Sequence, residues 1–418
     1  MEASSTPAES LPKVLIVGGG FGGHSAAKEL KEQVIIDETN RGLRVEKRIR
    51  SLNQIACYGL FGLAITLLPM TQALADADDV GQFVPLQVST VPANGDQNPY
   101  GVAFVPSGFS AGGPLQQSDI LVSNFNNAAN LQGTGTTIVR VTPTGQVSLF
   151  FNGNPKNKPP PTFGLTTALG MLKRGFVLVG NVPTTNGTFA TLRPGSLLLL
   201  DHNGNLIATL TNNLLDSPWD LTIQDGFNWA RVFVSNVRSG TVTRLDLEVY
   251  PGGILVKQVT QIAGGYKSHS DPAALIVGPT GLAYDANADV LYVASTADNE
   301  IFAVPHAGTA NHSNGPGTVI YQDNAHLRGP LALAFAPNGD LLTSNGDAPT
   351  VSPPSTQTLN SEIVEFTKNG QFIAEFSIDS AAGGAFGIAT APVREDSTHL
   401  AAVDDATNEL TVFRLSTP

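Results

Sequence analysis

Short apolar runs broken by glycine, proline and asparagine recur along residues 83–418, and two five-residue patterns can be laid over one another six times. The first reads Pro99-Tyr-Gly-Val-Ala103, Thr162-Phe-Gly-Leu-Thr166, Pro218-Trp-Asp-Leu-Thr222, Pro279-Thr-Gly-Leu-Ala283, Pro330-Leu-Ala-Leu-Ala334 and Ala385-Phe-Gly-Ile-Ala389. The second follows each copy: Ile120-Leu-Val-Ser-Asn124, Val177-Leu-Val-Gly-Asn181, Val232-Phe-Val-Ser-Asn236, Leu291-Tyr-Val-Ala-Ser295, Leu341-Leu-Thr-Ser-Asn345 and Leu400-Ala-Ala-Val-Asp404. Copies lie 51 to 63 residues apart, which suits four-stranded units with generous loops. The unbroken apolar second runs fit strands buried on both faces. Third strands such as Thr241-Val-Thr-Arg-Leu-Asp-Leu247 lead on, and turns at Thr144-Gly145, Asn203-Gly204 and Asn369-Gly370 feed fourth strands. The pattern predicts an all-β fold, a six-bladed β-propeller.

The sixth unit runs out of chain after three strands, while a spare strand, Pro85-Leu-Gln-Val-Ser-Thr-Val91, stands ahead of the first. Pairing the spare strand as the outer strand of the last blade closes the ring and removes an exposed edge. The repeats resemble those of NHL-repeat, TolB-like six-bladed propellers, above all in residues 277–295. That resemblance implies an architecture and leaves the activity open, since the fold hosts enzymes, scaffolds and binding proteins.

Residues 44–75 read as an export signal. Lys47, Arg48 and Arg50 precede the apolar run 55–70, and Ala73-Leu74-Ala75 is a small-x-small cleavage site. The run is short for a membrane span and ends at Pro69; a signal anchor is the alternative. The expected mature chain is 76–418, in the periplasm or secreted from a bacterial cell, with no membrane contact beyond the signal. The single cysteine, Cys57, falls inside the signal, so the mature chain has no thiol chemistry. Residues 1–43 hold a strand-like Lys13-Val-Leu-Ile-Val17, then Gly18, Gly20 and Gly23 in GxGxxG spacing, and Asp37 after a second apolar strand. This segment resembles the FAD-binding opening of type II NADH dehydrogenases, which implies a pyrophosphate on the glycines and a ribose hydroxyl on Asp37. Asp37 follows Gly23 by 14 residues where the fingerprint wants about 20, and one fragment of this size buries no core. A truncated Rossmann-like piece with no working flavin site is the expectation, with an FAD/NADH oxidoreductase as the literal alternative.

Charge narrows the partners. Residues after Ala75 carry 15 Lys+Arg against 28 Asp+Glu, which excludes nucleic acid and anionic lipid surfaces.

Strand directions put the long connectors, 125–136, 182–196, 263–278 and 346–360, on one face of the disc, the default place for binding. Two rings would line the channel mouth there. One is Tyr100, Phe163, Trp219, Thr280, Leu331 and Phe386; the other is Asn124, Asn181, Asn236, Ser295, Asn345 and Asp404. The four aromatics with Asn124, Asn181, Asn236 and Asn345 are the candidate ligand-binding set, for a small molecule, a glycan or a protein segment. The same asparagines also suit strand-end turns, and the aromatics suit a filled channel. The competing enzyme is a hydrolase or lactonase of the gluconolactonase type. Resemblance to that family implies a divalent cation, calcium or magnesium, for which Asp404 and Asp220 are the central carboxylates on offer. No cofactor is otherwise expected. His269 and His326 lie in connectors on the same face.

Overall fold

The computed structural model describes residues 82–418 apart from 111, 154–162, 347–360, 380–382, 395–396 and 417–418. The export signal, Gly18, Gly20, Gly23 and Asp37 all lie outside the described residues, as does most of the 346–360 connector.

Six four-stranded antiparallel sheets follow one another, each in simple up-and-down order. Their inner strands are Gln97–Phe104, Leu165–Leu172, Pro218–Asp225, Pro279–Asp285, Leu333–Phe335 and Ala385–Arg394. The fold is a six-bladed β-propeller. Gln82–Ser89 pairs antiparallel with Glu409–Ser416, so the last blade takes its outer strand from the start of the propeller. Leu86 and Val88 of the closing strand pack on the core. A hydrogen bond from Gln87 Nε2 to Glu409 Oε2 at 2.6 Å adds to the ladder.

Burial grades outward across each blade, as expected for sheets stacked around an axis. The second strands Ile120–Asn126 and Phe176–Asn181 are buried throughout, because a blade lies against each of their faces. Outer strands show solvent on one side, as in Leu206–Leu210. Glycine in the inner-strand pattern marks where neighbouring inner strands nearly touch. A Cβ on Gly281 would lie 2.5 Å from the Ala332 carbonyl carbon of the next blade, and one on Gly387 would strike the Tyr100 carbonyl oxygen.

One register differs from the sequence pattern. The proline or alanine that opens the first pattern pairs with the residue that ends the second: Pro99 opposite Asn124, Pro218 opposite Asn236, Pro279 opposite Ser295, Ala385 opposite Asp404. In blade two Leu165, not Thr162, faces Asn181. Four residues then separate Leu165 from Leu169, which pairs with Val179, where the other blades use three. The extra residue is a bulge, and the strand before it already starts three positions later than the pattern places it. Thr166 therefore takes the place that Thr162-Phe-Gly-Leu-Thr166 assigns to Phe163.

Candidate functional site

The channel end on the connector-rich face is filled. Tyr100, Trp219 and Phe386 converge there as the pattern predicts, with ring centroids 4.5 Å apart for Tyr100–Phe386 and 6.0 Å for Tyr100–Trp219. Phe125, one residue past the second-strand asparagine, completes the cluster at 4.6 Å from Tyr100 and 5.5 Å from Trp219. Val182 and Val237, in the same position of the next two blades, join it. The signal for them was the apolar residue after each Asn, which the five-residue pattern stopped short of.

A hairpin within the 263–278 connector, His269–Asp271 paired with Leu275–Val277, adds Leu275 and Ile276 to the same buried cluster. Gln132 Nε2 from blade one holds it through the Ala273 carbonyl at 2.5 Å. Trp219 is 1% exposed, so this cluster is core. Phe163 is elsewhere: the register shift sends it between blades, edge-on to Phe151 at 5.9 Å.

The asparagine side chains face inward and are engaged by the protein. Asn181 accepts the Gly164 N–H at 3.0 Å and donates to Ser196 Oγ at 3.1 Å. Asn236 accepts the Asp216 N–H at 3.0 Å and donates to Thr243 Oγ1 at 3.0 Å. Asn345 accepts the Arg328 N–H at 2.9 Å and donates to the His326 carbonyl at 2.7 Å. Asn124 donates to the Thr90 carbonyl at 3.0 Å. In each case the amide grips the chain arriving from the preceding blade, which fixes where the next inner strand begins.

Hydroxyl groups do a related job between blades, and the sequence patterns did not single them out. Ser123 Oγ donates to the Thr166 carbonyl at 2.9 Å, Thr166 Oγ1 to the Pro218 carbonyl at 2.9 Å, Thr280 Oγ1 to the Pro330 carbonyl at 3.1 Å and Ser344 Oγ to the Phe386 carbonyl at 2.5 Å. Their one legible sign is the serine preceding Asn124, Asn236 and Asn345. Between blades three and four the bond is made by a carboxylate. Asp220 Oδ2 accepts the Leu282 N–H at 3.1 Å, and Oδ1 accepts the Leu221 N–H at 2.8 Å.

Below the plug the channel is open. A cavity of about 360 Å³ runs among all six inner strands, with Leu169, Leu221, Leu282, Leu333 and Ile388 in its wall. Asp220 is the sole carboxylate lining it. Burial pushes the carboxyl up to about 8, and its two backbone donors offset this only in part. Its small exposed area faces the cavity, so this exposure is compatible with strong desolvation.

A divalent cation does not fit these donors. Among the described residues no three His, Cys, Asp or Glu side chains come together. Asp404 Oδ1 is turned to the Ala406 and Thr407 N–H groups at 2.8 and 3.2 Å, and Asp220 meets no other carboxylate in the cavity. A hard cation takes six to eight oxygens. His326 is held by Asp323 at 2.6 Å and stacked on Phe372 at 3.8 Å, and His269 Nδ1 lies 3.2 Å from the Ser270 carbonyl.

A second concavity lies on the connector-rich face. A groove of about 810 Å³ runs between the 182–195 loop and the 211–217 connector, lined by Asn181, Pro183, Arg193, Pro194, Asn212 and Leu215. Its walls are braced. Thr184 Oγ1 donates to the Gln132 carbonyl at 2.7 Å, Thr191 Oγ1 to Asn186 Oδ1 at 2.7 Å, and the Arg193 N–H to the Pro183 carbonyl at 3.1 Å.

These features define a six-bladed β-propeller with a plugged channel and a structured loop face. Solved structures share the fold. A gluconolactonase from Xanthomonas campestris is 15% identical at a TM-score of 0.46, covering 77% of this chain and 87% of that one. An inactive virginiamycin B lyase from Staphylococcus aureus, with quinupristin, is 14% identical at 0.42, covering 79% and 99%. A chain of the nidogen/laminin complex is 12% identical at 0.39, covering 76% and 93%. Likeness at this level carries no argument about this chain. No family model and no curated protein matches the chain.

Proposed function

We propose that the mature chain is an exported, NHL-type propeller acting as a binding module, and that it engages a protein segment or glycan on its connector-rich face. The observation that carries this reading is the groove between the 182–195 loop and the 211–217 connector. Prolines keep its walls stiff, asparagine amides offer donors and acceptors, and exposed Arg193 supplies a cation on an acidic protein. Loops braced by hydrogen bonds lose little freedom on binding, which favours recognition. The aromatic–asparagine mouth is not offered as the contact surface, because its rings are buried and its amides are engaged. The metal-dependent lactonase reading gains nothing from the dispersed carboxylates. The flavin reading rests on residues outside those described.

Site-specific photo-crosslinking in the native compartment tests it. A crosslinker at Asn213, beside the groove, captures one reproducible partner that Arg193→Ala loses, while one at Asn369 in a hairpin turn does not. Metal-dependent lactone turnover that Asp220→Asn abolishes would overturn the binding reading.

A further inference from the structure

Four of the five successive blade boundaries from one to six are stitched at the inner strands by a serine or threonine hydroxyl. A hydroxyl is cheap to bury once it is bonded; a carboxylate is not. Asp220 stitches the remaining boundary, faces the channel cavity and has no Lys, Arg or His partner among the described residues. Holding the strands together does not explain a carboxylate there. Its remaining acceptor capacity is directed at the channel cavity, whose volume of about 360 Å³ is enough for a small organic molecule, since ligand cavities start at roughly 300 Å³.

We infer that the channel binds a small organic cation, a primary amine with an apolar body, whose ammonium group pairs with Asp220 while its body lies against Leu221, Leu282, Leu333 and Ile388. The plug closes the connector-rich end, so the amine enters from the face where the inner strands end. Phe104, Tyr284 and Phe335 line that side, and aromatic rings tolerate a passing cation. The charged groups nearest that opening are already matched: Lys368 lies 2.8 Å from Asp285 with its ammonium 5.1 Å from the Phe335 ring, and Tyr284 donates to Asp289 at 2.9 Å. This site is separate from the groove, so either reading stands or falls without the other.

Calorimetric titration of the full chain with benzylamine, and with benzyl alcohol as its neutral counterpart, decides the matter. Benzylammonium binds one to one at pH 7 and releases about one proton to the buffer, because pairing drives the neutral carboxyl to its charged form. Benzyl alcohol binds at least about tenfold more weakly, a difference of roughly 1.4 kcal/mol. Asp220→Asn, which resembles the neutral acid and keeps an acceptor, folds and loses the amine by a similar factor. Ala389→Leu, which narrows the cavity and leaves Asp220 in place, loses it too. Equal binding of amine and alcohol, retention of the amine in Asp220→Asn, no proton release, or no binding by the unaltered chain at millimolar amine would each overturn the inference.

Discussion

Asp220 Oδ2 accepts the backbone N–H of Leu282 at 3.1 Å, joining the inner strands of blades three and four through a carboxylate at the edge of the channel. Its pKa, pushed to about 8 from an ordinary 3.8, makes the bond sensitive to pH. The folded chain holds this proton more tightly than the unfolded chain. The contribution to stability is therefore fully present below about pH 4 and is lost as pH rises through about 8. Asp220→Asn, a mimic of the protonated acid, changes the urea midpoint little at about pH 3 and raises it at about pH 9. An unchanged midpoint at pH 9 would show the carboxyl titrating normally.

The asparagine clamps carry stability. Asn236→Ala leaves the Asp216 N–H without its acceptor, while Thr243 Oγ1 loses a donor and keeps its own bond to the Leu214 carbonyl. The expected cost is about 1–3 kcal/mol by urea unfolding. Asn236→Asp keeps the acceptor, loses the donor and recovers only part of the loss.

Trp219 reports on the plug. In a Trp229→Phe background it is the only tryptophan, so its emission follows the channel core. Phe125→Ala and Phe163→Ala each remove a buried ring and each cost about 3–5 kcal/mol. Only Phe125→Ala shifts the Trp219 emission of the folded protein, because Phe163 packs on Phe151 in another cluster. A matching shift from both would restore Phe163 to the channel mouth.

Removal of the closing strand exposes the whole edge of Glu409–Ser416. A chain beginning at Asp76 gives one cooperative unfolding transition, whereas a chain beginning at Pro92 aggregates. A synthetic peptide of residues 82–91 added in trans restores the monomer on size-exclusion chromatography.

Much of this architecture was legible before any coordinates. Six copies of Val-Leu-x-Ser-Asn-like strands cannot all be buried on both faces unless they stack as blades, and a three-stranded last unit cannot close without the strand at 82–89. The convergence of Tyr100, Trp219 and Phe386 followed from the same repeat. Blade two shows the limit: a five-residue pattern matches Thr162–Thr166 as well as any other copy, and only ladder pairing reveals the bulge that puts Thr166 in the place of Phe163.

Strand count, order, ring closure and the residues that recur at each blade are legible from the chain alone. That follows because burial on both faces of a repeated strand is a local demand, written into each copy. Tertiary structure alone decided which recurring residues are available to a ligand. The asparagines turn inward because each meets a backbone arriving from a different blade. The hairpin at Leu275–Val277 fills the channel mouth from a connector with no repeat, and Asp220, which stands where the pattern has Gly101, Gly281, Ala332 and Gly387, meets the Leu282 N–H and the channel cavity only through the fold. Such relationships join residues tens of positions apart, and no spacing within the chain records them.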